Sequence, residues 1–262
     1  MHRIHKQIII DKLTKALEAL TYIHAFWLEG ADATGTDDVY SDLDFWVDVD
    51  DAFLVKSYEV IEHTLNEISP INYRYIMNHN HPKIRQRIYH LENTGEYLMI
   101  DFCWQLHSRP RDEYIYIEND TIETAKVIFD KSNIIRFKPM NPSDYIASNQ
   151  ALLREAKYRR TQHVRAMKYV KRGQLLEAQA YYHRYVVTPL VDLLRLIYTP
   201  AHADFSVVHI SQHIPAAERE QLEYFVKICS LEDIERKIPE AAAWFDMLER
   251  YLTEKINRGC AL

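Results

Sequence analysis

Between Glu29 and Asp51 the chain carries Glu29, Asp32, Asp37, Asp38, Asp42, Asp44, Asp48, Asp50 and Asp51 without one Lys or Arg. Negative charge gathered this densely repels itself, and bound cations would offset it; the plain alternative is a solvated acidic loop. Asp42 and Asp44 narrow the choice. They are two residues apart in a segment whose apolar positions alternate, Leu43, Phe45, Val47 and Val49. Side chains at i and i+2 of a strand share a face, so both carboxylates converge while Leu43 points into a core. Two like charges this close favour a divalent ion between them. Magnesium takes oxygen ligands and keeps positions for phosphate oxygens. Paired ions stabilise both the entering and the leaving oxygen of an in-line displacement.

A third carboxylate stands alone in Tyr97-Leu98-Met99-Ile100-Asp101-Phe102-Cys103-Trp104, where Asp101 is the one charge in an apolar run. A buried, unpaired carboxylate is costly. Asp101 therefore either pairs with a basic residue or faces a metal. His79 and His81, with His90 nearby, could suggest zinc, but Asn78-His79-Asn80-His81-Pro82 reads better as a polar loop, with no third ligand paired in sequence.

The elements that must position these groups follow from hydrophobic period. Helical spacing runs from about Ile4 to Tyr22 and over Ala52–Ile68. Strands are expected at Ile23–Leu28, Asp42–Val49, Asn72–Met77, Ile84–Leu91, Tyr97–Trp104 and Lys126–Asp130. Asn93-Thr94-Gly95 reads as a hairpin turn between two of them. After Pro139 and Pro142 the pattern turns helical, over roughly Ser143–Arg172, Leu175–Tyr198, Ala216–Ile228 and Leu231–Arg258, with Gly173 where a helix C-terminus is expected. The fold class is α+β: a mixed β-sheet flanked by helices over residues 1–140, then a helical bundle domain over residues 141–262.

Composition excludes several classes. Hydrophobic residues make up 47% of the 262, enough for a packed core. Residues 1–140 hold 15 Lys/Arg against 23 Asp/Glu, a balance of −8, within a net charge of −6 for the chain. A binder of long nucleic acid carries a basic excess, so no such partner is expected. Cys103, Cys229 and Cys260 are far apart and form no C-x-x-C pair, as in a reduced, cytoplasmic protein. The N-terminal stretch has charges recurring through its apolar positions, unlike a signal peptide or membrane span.

Gly30-Ala31-Asp32-Ala33-Thr34-Gly35, followed by Val39-Tyr40-Ser41-Asp42-Leu43-Asp44, resembles the signature of the polymerase-β-like nucleotidyltransferases: G-S-x-A-x-G, a spacer, then S-D-h-D-h, where h is hydrophobic. The resemblance implies that the turn at Gly30 and Ala31, with Ser41, lies against a nucleoside triphosphate. It implies that Asp42 and Asp44 hold two Mg2+ ions, and that Asp101 is the third ligand or general base. Val127–Asp130 looks like the closing strand of the same core. Two positions depart from the pattern: Ala31 replaces the usual serine and Thr34 the usual basic residue. The helical half, chiefly Lys168-Tyr169-Val170-Lys171-Arg172-Gly173-Gln174-Leu175-Leu176-Glu177-Ala178, is similar to that of the bacterial aminoglycoside and lincosamide antibiotic nucleotidyltransferases.

That resemblance implies transfer of an NMP, with ATP the expected donor, to a hydroxyl of a small molecule, and a role in antibiotic resistance. Lys157 and Lys168, in the basic stretch from Arg154 to Arg172, are candidate triphosphate contacts. Two alternatives stay open: a protein-modifying adenylyltransferase of the toxin–antitoxin type, and a catalytically decayed binding module of the same fold.

Overall fold

The computed structural model describes residues 5–258. Two compact units divide the chain, Met1–Met140 and Asn141–Leu262. The first opens with α1 (Lys6–Glu18), β1 (Ile23–Leu28), α2 (Gly30–Thr34), β2 (Leu43–Val49) and α3 (Leu54–Ile68). It continues through β3 (Ile71–Met77), β4 (Ile84–Leu91), β5 (Ile100–Leu106), β6 (Tyr116–Ile117), β7 (Lys126–Asp130) and β8 (Phe137–Lys138). Among the described residues, six strands form one sheet in the order β3-β4-β5-β2-β1-β7, and β6 pairs with β8. In the larger sheet β2 and β5 run parallel, and the other neighbours are antiparallel.

The alternation in β2 divides the sheet into two faces. Leu43, Phe45, Val47 and Val49 are buried under α1 and α3, with Ile9, Leu13, Leu17, Ile61 and Leu65. Phe26, Phe45 and Phe102 stack at the centre of this core, with ring centroids 5.2 to 6.1 Å apart. Truncating a buried Phe such as Phe102 costs about 3–5 kcal/mol. The opposite face carries Asp44, Trp46 and Asp48 from β2. A smaller cluster of Ala25, Trp27, Tyr116 and Ile134 packs there, with Trp46 against it.

The second unit contains α4 (Ile146–Thr161), α5 (Val164–Lys171), α6 (Leu175–Tyr182), α7 (Thr188–Tyr198), α8 (Ile210–His213), α9 (Ala216–Val226) and α10 (Leu231–Asn257). α7 is buried along almost its whole length, from Pro189 to Ile197. Its Arg195 is 0% exposed, and its guanidinium donates to the carbonyls of Ser206 (2.7 Å) and Val208.

Several boundaries differ from the expected ones, each for a local reason. The helix expected over Ser143–Arg172 is two helices, broken near Gln162. There Thr161 Oγ1 donates to the Tyr158 carbonyl (2.7 Å) and His163 Nδ1 to the Arg160 carbonyl (3.0 Å). These side chains compete with the main chain for its acceptors. Leu175–Tyr198 is continuous but passes through a π-turn, His183–Val187. Pro189 lacks an N–H and crowds the preceding turn, and the π-turn accommodates it. The strand expected from Tyr97 begins at Ile100, so β4 and β5 form a hairpin joined by residues 92–99 rather than by a tight turn. Gly173 has φ 71° just beyond α5, where Gly173 N and Gln174 N donate to the carbonyls of Val170 and Tyr169. The expected start of the first helix, Ile4, and Cys260 lie outside the described residues. No described helix is long and apolar enough to cross a membrane.

Candidate active site

Asp44 and Asp101 stand opposite one another in the parallel register of β2 and β5. β2 turns Asp44 to the face away from α1 and α3, and Phe102 and Ile100, buried on the other face, turn Asp101 the same way. Asp42 lies just ahead of β2, exposed, and its charge acts on both of the others. The structure therefore brings together the three carboxylates singled out in the sequence.

The chain approaches Asp44 closely through Gly30, the first residue of α2. Gly30 has φ +60°, and a Cβ built there would overlap Asp44 Oδ2 and lie 3.0 Å from its Cγ. A residue without a side chain is thus required by both conformation and space. Glu29 N donates to the Asp44 carbonyl (2.9 Å), which fixes this approach. Ala31 and Thr34 sit within α2, where Thr34 Oγ1 donates to the Gly30 carbonyl (3.1 Å). The Ser41 hydroxyl donates to Asp38 Oδ1 (3.0 Å) and accepts from Asp38 N (2.9 Å), closing the turn ahead of Asp42.

The electrostatics follow from burial and crowding. Burial, then the charges of Asp42, Asp101, Glu29 and Asp32, push Asp44 up to about 7. Burial raises Asp101 as well, against the opposing effect of Gln86. Gln86 Nε2 donates to both Asp101 oxygens, at 2.8 and 2.7 Å. Burial raises Glu29 to about 7, opposed by hydrogen bonds from Tyr116 and Trp27. The Tyr116 hydroxyl donates to Glu29 and accepts from Trp27 Nε1 at 2.8 Å. Among the described residues, none of Asp42, Asp44 and Asp101 is paired with a Lys or Arg. That composition, oxygen donors only and an uncompensated negative charge, is what a hard dication takes.

Glu29, Gln86 and Lys6 are members of this neighbourhood to which the sequence pattern gives no role. Glu29 belongs to the acidic run but directly precedes the glycine, so its spacing carried no signal. Gln86 lies diagonally across β4 from Asp101, a relation that exists only once the register is known. Lys6 opens α1 and pairs with Asp32 at 3.0 Å. Lys157 and Lys168 both belong to the helical unit. The Lys157 ammonium is paired with Glu249 at 2.6 Å, and Lys168 is exposed.

Two solved structures with similar chain paths are an aminoglycoside 6-adenyltransferase from Bacillus subtilis and the spectinomycin adenyltransferase AAD(9) from Enterococcus faecialis with ATP and spectinomycin. The first is 14% identical, spans 97% of this chain and 92% of its own, and superposes with a TM-score of 0.38. The second is 13% identical, spans 92% of this chain and 100% of its own, with a TM-score of 0.35. No family model matches the chain, and no curated protein matches it.

Proposed function

We propose that this protein is a magnesium-dependent nucleotidyltransferase. In this reading it moves AMP from ATP to a hydroxyl of a small cationic acceptor, with aminoglycoside and lincosamide antibiotics as the candidate class. The observation that carries the reading is Asp44 opposite Asp101, with Asp42 beside them and no basic partner among the described residues. Asp42 and Asp44 would hold one ion, and Asp101 would share in holding a second. Bound magnesium supplies positive charge against the triphosphate oxygens.

The chain's own groups do the rest. Asp101, held at both oxygens by Gln86, accepts the acceptor's hydroxyl proton. The freed oxygen bonds to the α-phosphorus, the bond from that phosphorus to the bridging oxygen breaks, and pyrophosphate leaves. Glu29, drawn toward neutrality, limits the negative charge beside Asp44. The main chain at Gly30 and Ala31, with Ser41, is assigned to the triphosphate. Lys157 and Lys168 are assigned to it on charge alone. Residues 1–140 are assigned catalysis and residues 141–262 acceptor recognition. The excess of 23 acidic over 15 basic residues in the first segment favours a cationic acceptor.

The test is incubation with labelled ATP, magnesium and a panel of aminoglycosides, spectinomycin and lincosamides. A labelled small-molecule adduct with matching pyrophosphate release is expected. Label on protein instead would point to a protein-modifying enzyme. ATP binding with no adduct on any acceptor would overturn the transferase reading.

A further inference from the structure

At the far end of the same sheet face, three strands bring together a second set of donors. His24 comes from β1, Asp48 from β2, and His107 directly follows β5. One ligand atom from each lies within 4.8 Å of the other two. Asp48 is four residues along β2 from Asp44, about 13 Å at 3.3 Å per residue, so this group is separate from the carboxylates above.

Asp48 and His24 are oriented by the structure around them, and His107 packs against both. Asp48 is 2% exposed. Gln105 Nε2 donates to its Oδ2 at 2.7 Å, and Gln105 Oε1 accepts from Arg109 at 3.0 Å, which fixes the amide's orientation. The other oxygen, Oδ1, is left facing His107 Nδ1 at 2.6 Å. His24 Nδ1 is bonded to the Ser132 hydroxyl at 3.0 Å, leaving Nε2 directed to Asp50 Oδ1 at 2.8 Å. Ser132 is itself anchored, since its N–H donates to Asp130 Oδ1 at 3.2 Å. The two imidazoles stack with centroids 3.8 Å apart.

This arrangement fits a metal site two of whose ligands are held by outer partners: hydroxyl on the His24 imidazole, amide on the Asp48 carboxylate. The charges also fit. Asp48 is buried with an amide and an imidazole as its hydrogen-bond partners, so its negative charge needs either an imidazolium or a bound cation. The nearby Lys131 ammonium is engaged with the carbonyls of Leu20 and Ile23. With neutral imidazoles, Asp48 and Asp50 together offer two negative charges, which balance one dication.

We propose that His24, Asp48 and His107, with Asp50 as a further donor, form a second metal site. Two nitrogens and a carboxylate select zinc, cobalt or another first-row transition ion over magnesium. The bound ion would tie together the ends of β1, β2 and β5. The proposal is independent of the transferase reading, because it uses none of Asp42, Asp44 or Asp101.

The test is titration of the full-length, chelator-treated protein with Co2+, followed by visible absorption and calorimetry in millimolar magnesium. One equivalent of Co2+ should bind with d–d bands in the wild type and in Asp44→Asn alike. His107→Gln should abolish the bands, and Ser132→Ala should weaken binding about 10-fold or more. Circular dichroism establishes that the variants are folded. If His107→Gln does not fold, the Ser132→Ala affinity decides. Absence of stoichiometric uptake at micromolar Co2+, its loss in Asp44→Asn, or unchanged binding in His107→Gln or Ser132→Ala would overturn the proposal.

Discussion

The Asp44 carboxylate occupies the space that a side chain on Gly30 would need. The backbone turn and the buried acid are one construction: the acid reaches its position because the turn has no Cβ, and the turn requires φ +60°. Gly30→Ala therefore strains the backbone and displaces the carboxylate together. We expect a loss of about 1–3 kcal/mol in stability and at least a 100-fold loss of pyrophosphate release. Denaturant unfolding and a coupled pyrophosphate assay on the same preparation read the two effects.

Asp44→Asn removes one charge from a group that burial and four acidic neighbours already push toward neutrality. The metal-free variant should be at least as stable as the wild type, since self-repulsion falls. Its magnesium-dependent transfer should vanish. Retention of near-normal turnover would exclude Asp44 as a metal ligand.

Asp101→Asn should lower turnover by about 10²- to 10⁴-fold, the range of a lost general base, with ATP affinity largely retained through Asp42 and Asp44. Gln86→Leu should produce a smaller loss of kcat, because it frees Asp101 to reorient without removing it. Equal losses of nucleotide affinity and turnover in Asp101→Asn would reduce Asp101 to a metal ligand.

A pH effect is expected in the helical unit. Burial raises Asp192 to about 6 from an ordinary 3.8, despite the Arg159 guanidinium at 3.1 Å. Its folded-state value lies above its unfolded value, so the folded state binds the proton more tightly. The stabilisation is fully present below about pH 4 and is lost as pH rises to 6. Asp192→Asn should flatten that slope and add about 1–3 kcal/mol at pH 8. Urea unfolding at pH 4.5 and pH 8 measures it; an unchanged slope in the variant would reject this assignment.

How much of this was legible in the sequence depends on how local the cause was. β1, β4 and β7 are found with the expected ends, because alternation and short apolar runs are local signals. Asp44 and Asp101 stood out as charges set in apolar strands, and Asp42 by its spacing from Asp44, although it lies just ahead of β2. Gln86 and Lys6 did not, because each meets its acidic partner only through packing or strand register. His24 and His107 were invisible for the same reason: they lie 83 positions apart in the numbering and touch only after β1, β2 and β5 align. The break near Gln162 leaves no local signal, because Thr161 and His163, whose side chains bond to carbonyls of the preceding turn, fit a continuous helix in composition. β6 and β8 are two residues each, too short for any period to appear.

The parallel pairing of β2 with β5 makes strand register itself a determinant of chemistry. Slipping β5 by a single position would bring Ile100 or Phe102 opposite Asp44 and turn Asp101 toward the aromatic core, since side chains alternate with period two. Length changes should therefore have sharply unequal effects along a short stretch of chain. An extra residue at the exposed Glu96 or Tyr97 lengthens the connection and costs little loop entropy, whereas Leu98 is buried in the core and the Met99 carbonyl accepts from Leu43 N. An extra residue between Ile100 and Asp101 reverses the facing of one half of the strand against the other. An insertion scan across residues 92–106 would thus record a boundary at Leu98, with tolerance just before it and inactivity after.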